Sequence, residues 1–154
     1  MVKLSAGLLM FRTVNGRIEL LLVHPGGPFW KNRDEGAWSI PKGEYTEEED
    51  PLHAAEREFA EETGFTPRGP YIPLDPIRLK SGKRVVAWAF EGDGDPDQVK
   101  SNTFRCEWPP RSGQWQEFPE VDRAAWFSFS EARLKIHPEQ VSFLEQLRRL
   151  RNAE

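Results

Sequence analysis

The chain has 154 residues, a formal net charge of −4 and 38% apolar residues, among them ten Phe and six Trp. That length suits one domain with a substantial core and is too short for two ordinary ones, and the acidic balance offers no general attraction for a polyanion, so bulk nucleic-acid binding is unexpected and any phosphate binding has to be local. The lone Cys106 excludes an internal disulfide and a cysteine-rich zinc site, and the N-terminal apolar run is broken by Arg12 before it reaches membrane-spanning length, so no membrane association and a cytoplasmic location are expected.

Residues 3–12 and 17–24 are strand-like apolar runs around Val14-Asn15-Gly16. Asn-Gly favours a two-residue turn, so the runs are expected as antiparallel neighbours. Residues 25–36 read as a glycine- and charge-rich loop carrying Lys31 and Arg33, leading into a short strand at 37–40. Pro41 then stiffens the approach to Lys42 and Gly43. Asp50 as cap, Pro51 at the first helical position and Gly64 after the last turn predict a helix from Pro51 to Thr63.

At 100° per residue, Leu52, Ala55, Phe59 and Thr63 share one arc of that helix and are expected to be buried, while Glu58, Glu61 and Glu62 gather on the adjoining arc. Arg57 is expected to point away from that carboxylate cluster. Carboxylates spaced i, i+3 and i+4 repel unless a cation sits among them, and hard oxygen donors favour Mg²⁺, Mn²⁺ or Ca²⁺. The alternative is a solvated acidic face.

Residues 71–79 and 84–91, joined by Ser81-Gly82-Lys83, are expected as a second hairpin. The Asp93–Asp97 segment superficially resembles a calcium loop, but Gln98 and Phe104 stand where the glycine and the bidentate glutamate belong, so it reads as an acidic turn. Residues 101–116 are expected as a strand followed by a loop in which Trp108, Arg111 and Trp115 share a neighbourhood able to stack a base and hold a phosphate. A strand over 124–129 follows, then a short helix over 131–135 capped by Ser130, and a last helix opened by Pro138 with Phe143, Leu144, Leu147 and Leu150 as its apolar stripe. His24, His53 and His137 have no ligand spacing and receive no role. The order of elements fits an α/β protein with a mixed sheet covered on both faces.

Gly43, Glu49, Arg57, Glu58, Phe59, Glu61, Glu62, Gly64 and Phe65 match the Nudix box at each specified position, with Phe59 and Phe65 as its bulky apolar sites, so the chain resembles the Nudix hydrolases. The segment Ala37-Trp38-Ser39-Ile40-Pro41-Lys42 is similar to the strand that enters the box. The resemblance implies a Nudix-type α/β/α sandwich with a mixed β-sheet. It implies Mg²⁺ or Mn²⁺ held by Glu58, Glu61 and Glu62 with the Gly43 carbonyl, and Arg57 positioning Glu49 or its neighbours. A glutamate before the late tryptophan-bearing strand often serves such enzymes as an extra metal ligand or as the general base. Glu120 best matches it, with Glu117 in reserve and Glu61 as the other candidate base. Lys42, Arg33, Arg111 and Trp115 are the candidate substrate contacts.

The Pro-Lys-Gly approach resembles that of dinucleoside-polyphosphate hydrolases and some messenger-RNA decapping enzymes. The expected activity is therefore metal-dependent pyrophosphohydrolysis of a small nucleotide, a dinucleoside polyphosphate or a nucleoside triphosphate. An RNA 5′-end pyrophosphohydrolase and a non-catalytic nucleotide sensor are the alternatives; the acidic net charge counts against the first and the full set of box carboxylates against the second.

Overall fold

The computed structural model describes residues 2–153. β1 (Leu4–Val14) and β2 (Arg17–Pro25) form the predicted antiparallel hairpin. Asn15 and Gly16 both take left-handed conformations, φ 51° and 77°, as the tight turn requires. β1 is central. Beyond its pairing with β2, it runs antiparallel to β3 (Lys42–Tyr45) along Leu4–Gly7 and parallel to β6 (Arg84–Glu91) along its other edge, so the sheet is mixed. The short strands β4 (Ile72–Pro73) and β5 (Ile77–Arg78) flank β6, and β9 (Val121–Phe127) closes the far edge against β2.

β1 explains the layers. Its side chains alternate, sending Ala6, Leu8 and Met10 to one face and Leu9 and Phe11 to the other. The first face packs on α1 (Pro51–Thr63) through Ala54, Ala55 and Phe59. The second packs on α2 (Phe129–Lys135) and α3 (Val141–Leu150) through Ala132, Phe143, Leu144 and Leu147. Two helical layers around one mixed sheet give the expected α/β/α sandwich.

α1 has its predicted bounds. The Asp50 carboxylate accepts the His53 amide at 3.1 Å, and Gly64 (φ 80°) donates to the Ala60 carbonyl at 2.8 Å. Asp50→Ala is expected to cost about 1 kcal/mol of stability, seen as a lower urea midpoint at unchanged slope. Leu52 is only partly buried; Ala54 takes its expected place in the core.

Several boundaries differ from expectation. Residues 37–40 form no strand: Ser39 bridges Val23 and Trp38 bridges Ile136, and the strand proper is β3, beginning after Pro41. The stretch 71–79 is broken into two-residue strands by Pro73 and Pro76, which cannot donate to a ladder. Residues 101–116 hold the expected strand and loop, β7 (Thr103–Glu107) and 108–114, but a further strand, β8 (Trp115–Pro119), begins at Trp115 and pairs with β7 as a separate two-stranded sheet. Ser128, not Ser130, caps α2, in a reciprocal box with Glu131. Leu150 stands 58% exposed, outside the apolar stripe.

Candidate active site

Docking α1 by its alanine and phenylalanine arc turns the neighbouring arc toward β3. Phe59 fixes this roll, buried and edge-on to Phe90 at 5.3 Å. Glu58 then lies over Gly43 so closely that a Cβ there would stand 2.1 Å from the Glu58 Cδ. One turn on, the Glu62 carboxylate accepts the Lys42 amide at 3.3 Å. Arg57 pairs with Glu49 and reaches the Glu44 carbonyl at 3.4 Å. It does not point away from the acidic cluster: its Nη2 lies 3.3 Å from Glu58 and its Nε 3.9 Å from Glu61, the i+4 neighbour on its own helix.

Glu120 reaches the site through backbone bonds at the corner between β8 and β9. The Gly26 amide donates to the Glu120 carbonyl at 2.9 Å, the Glu120 amide to the Asn102 carbonyl at 2.8 Å, and the Asn102 amide to the Glu61 carbonyl at 2.8 Å. The loop glutamate is thereby tied to the last turns of α1. Glu117 lies on β8 opposite Arg105 and is exposed.

Burial and mutual repulsion dominate the electrostatics. Burial pushes Glu62 up to about 8, with the charges of Glu58 and Glu120 adding to it and the Lys42 amide opposing. Glu58 is raised by burial and then by Glu61, with Arg57 opposing, and Glu120 by burial and then by Glu61. Lys42 is lowered by burial and by Lys83, against the pull of Glu62, Glu44 and Glu58. Acidic groups from two elements sense one another here, and among the described residues Glu62 has no cationic side chain in ion-pair contact.

Beside these groups is a cavity of about 250 Å³ whose lining includes Trp30, Lys42, Glu62, Glu120, His137 and Gln140. A larger depression, about 880 Å³, lies between the β1–β2 turn and the end of α3; among the described residues no carboxylate side chain lines it and it shares no residue with the acidic cluster. The smaller cavity is the one lined by Glu62 and Glu120 of the acidic cluster. Of the predicted substrate contacts, Lys42 lines it. Arg33 lies in the adjoining loop with its guanidinium over the Trp30 ring at 5.5 Å. Arg111 (φ 62°) is at the tip of the β7–β8 hairpin and Trp115 is 57% exposed; neither lines the cavity.

Residues without a sequence-based role complete the wall. Trp30, beside Phe29 in the loop, was not distinguishable from other surface aromatics. Buried Gln140 accepts the Ile40 amide at 3.1 Å and donates to Ser39 Oγ at 3.0 Å, holding the segment that leads into Lys42.

The donor set suits a hard divalent cation. Its carboxylate oxygens lie against β3 at a position where only glycine leaves room for Glu58, and among the described residues its enclosed Glu62 has no cationic side chain in ion-pair contact. Among the described residues no three acidic, imidazole or thiol groups already surround a single point. The helix thus supplies donors, and the ion would supply their closure.

The sequence model of the NUDIX domain family matches residues 1–147, and the chain belongs to the Nudix family. It is accordingly a hydrolase acting on phosphoric anhydride bonds. Among solved structures it is similar to a C. elegans Ap4A hydrolase binary complex, with TM-score 0.67 and 23% identity over 98% of this chain and 98% of that one. The NUDIX domain of Shewanella oneidensis NrtR complexed with ADP ribose gives TM-score 0.67 and 18% identity over 97% of this chain and 88% of that one. The C-terminal domain of mouse MUTYH, solved with human PCNA, gives 0.62 and 15% over 100% and 92%. At these identities the likenesses concern the fold. No curated protein matches the chain.

Proposed function

We propose that this enzyme is a Mg²⁺- or Mn²⁺-dependent pyrophosphohydrolase of nucleoside diphosphate-linked compounds, with dinucleoside polyphosphates or nucleoside triphosphates as substrates, acting as one domain in the cytoplasm. The observation that carries this reading is the cavity that joins an indole, Trp30, and an ammonium, Lys42, to the carboxylates Glu62 and Glu120. An aromatic face stacks any base, a cation holds a phosphate, and the acidic group lies where the anhydride would then rest.

Glu58, Glu61, Glu62 and the Gly43 carbonyl would hold the metal, with Glu120 as a further ligand or as base. The ion supplies neutralisation of phosphoryl oxygens and a more acidic water. Arg57 steadies Glu49, Glu58 and Glu61 from outside. Lys42 holds the non-reacting phosphate, and Arg33 lies on the loop side of the same cavity. The attacking water's proton goes to Glu120 or Glu61, carboxylates tied through Asn102 to the same end of α1.

The deciding experiment is hydrolysis of a nucleotide panel with Mg²⁺ and with Mn²⁺, products separated by chromatography and the attacked phosphorus identified with heavy-oxygen water. Turnover of none of the dinucleoside polyphosphates or triphosphates would refute the proposal. Trp30→Ala is expected to raise KM for the preferred nucleotide ~10-fold with a smaller change in kcat, since stacking contributes about 1–3 kcal/mol per base.

A further inference from the structure

We infer that His24 is a positioning residue that fixes the two walls of the nucleotide cavity relative to each other. The side chain is fully buried near the end of β2, where the pairing with β9 shifts register between His24 and Pro25. Its Nδ1 lies 2.8 Å from the Asp122 carboxylate and its Nε2 2.5 Å from the Arg33 carbonyl. The ring is held edge-on by Trp38 at 5.2 Å.

Each contact leads to a wall. Asp122 lies two residues beyond Glu120, whose carbonyl accepts the Gly26 amide at 2.9 Å. A Cβ on Gly26 would stand 1.9 Å from the Pro119 carbonyl oxygen, so the chain leaving His24 lies directly against the Glu120 corner. On the other side, the Arg33 amide donates to the Trp30 carbonyl at 3.0 Å and the Trp30 amide to the Gly27 carbonyl at 3.3 Å. The Arg33 carbonyl is therefore one of the points at which the Trp30 loop is tied down, beside the Asp34–Trp38 and Gly36–Leu134 bonds that follow it. Trp30 and Glu120 line the same cavity, and among the described residues His24 is the one side chain hydrogen-bonded to both supporting segments.

The two ring nitrogens each face an oxygen, one on either supporting segment, so a single rigid ring spans the gap between them. Arg123 approaches the same Asp122 carboxylate at 3.9 Å. Glutamine reaches one of the two acceptors at most, and phenylalanine neither. This role concerns substrate placement and rests on the proposed nucleotide pocket.

The test compares wild type with His24→Gln and Asp122→Ala. The second variant breaks the same link from the exposed side, and circular dichroism and thermal melts establish the folded fraction of each variant. Amide hydrogen exchange is expected to lose protection at Gly26, Trp30 and Arg33 while α1 is unchanged. KM for the nucleotide found in the panel is expected to rise ~10-fold, more than kcat falls, because misplaced walls weaken placement before chemistry. The double variant should be no worse than the worse single one, since both cut one link. Unchanged KM and kcat in folded variants, or activity lost only in step with the unfolded fraction, would overturn the inference. If wild type hydrolyses no nucleotide, the functional reading fails separately, and exchange alone decides: protection retained at Gly26 and Arg33 overturns the clamp, and protection lost there supports it.

Discussion

Glu62→Gln is expected to remove metal-dependent turnover, by ~10³-fold or more, while making the metal-free protein more stable. The two effects have one cause. Among the described residues Glu62 is enclosed beside Glu58 and Glu120 with no cationic side chain in ion-pair contact, and its pKa is raised to about 8 against the weaker pull of Lys42. In the unfolded chain it would lose its proton near the ordinary 4.5. Between those values the folded state holds a proton that the unfolded state has released, so stability falls as pH rises through this window and the full cost is present above pH 8. Glutamine carries no such charge. Discounted for water access, the gain is on the order of 2 kcal/mol, or ~4–8 °C in Tm at pH 8 for a chain of this size. The gain should shrink toward pH 5. A divalent cation reverses the order: millimolar Mg²⁺ or Mn²⁺ should raise the wild-type Tm and leave that of the variant nearly unmoved. Thermal melts across pH with chelator or metal, beside turnover assays, check all of this. A variant that keeps its activity would remove Glu62 from the site, and one destabilised at pH 8 would contradict the electrostatic account.

What was legible in the sequence was local. Asp50, Pro51 and Gly64 delimit α1 because caps act within one turn, and the Asn-Gly turn sets the first hairpin for the same reason. The carboxylate arc follows from helical spacing alone. Pairing between distant segments was not legible. Whether residues 37–40 or 42–45 join the sheet depends on which of them meets β1, and β1 meets Gly43 and Lys42. Trp115 illustrates the same limit at a candidate site residue. It shares a neighbourhood with Trp108 in sequence, yet the β7–β8 register sets it opposite Glu107, on the face away from the Phe104–Phe118 pair that packs toward Gly27. Trp30 reaches the cavity only because His24, Asp34 and Gly36 are bonded across to Arg33, Trp38 and Leu134. None of these contacts leaves a trace in local spacing. Glu120 lies between the two cases, since its position rests on Gly26 and Asn102 while its expected role came from family resemblance.

Gly43→Ala should separate folding from catalysis most cleanly. Gly43 belongs to β3, between Lys42 and Glu44, in register with Ala6 of β1. Its φ is not left-handed, so alanine suits the backbone there. The obstacle is the Glu58 carboxylate, whose Cδ and two oxygens would lie 2.1–2.5 Å from the new Cβ. Those atoms are the far end of a flexible side chain, so Glu58 can swing away at little cost and the protein should fold with Tm within a few degrees of wild type. It swings away from the place where a donor is needed. The displaced carboxylate would leave the other acidic groups without their closest neighbour on the β3 side, and turnover should fall ~10²-fold, as for a misplaced catalytic group. The metal-induced rise in Tm should shrink with it. Gly64, by contrast, is required for its left-handed φ of 80°, and Gly64→Ala should cost stability first, with activity falling only as folded protein is lost. Measured side by side, loss of turnover in folded Gly43→Ala places Glu58 in the reaction; unchanged turnover would mean that its closeness to β3 serves packing alone.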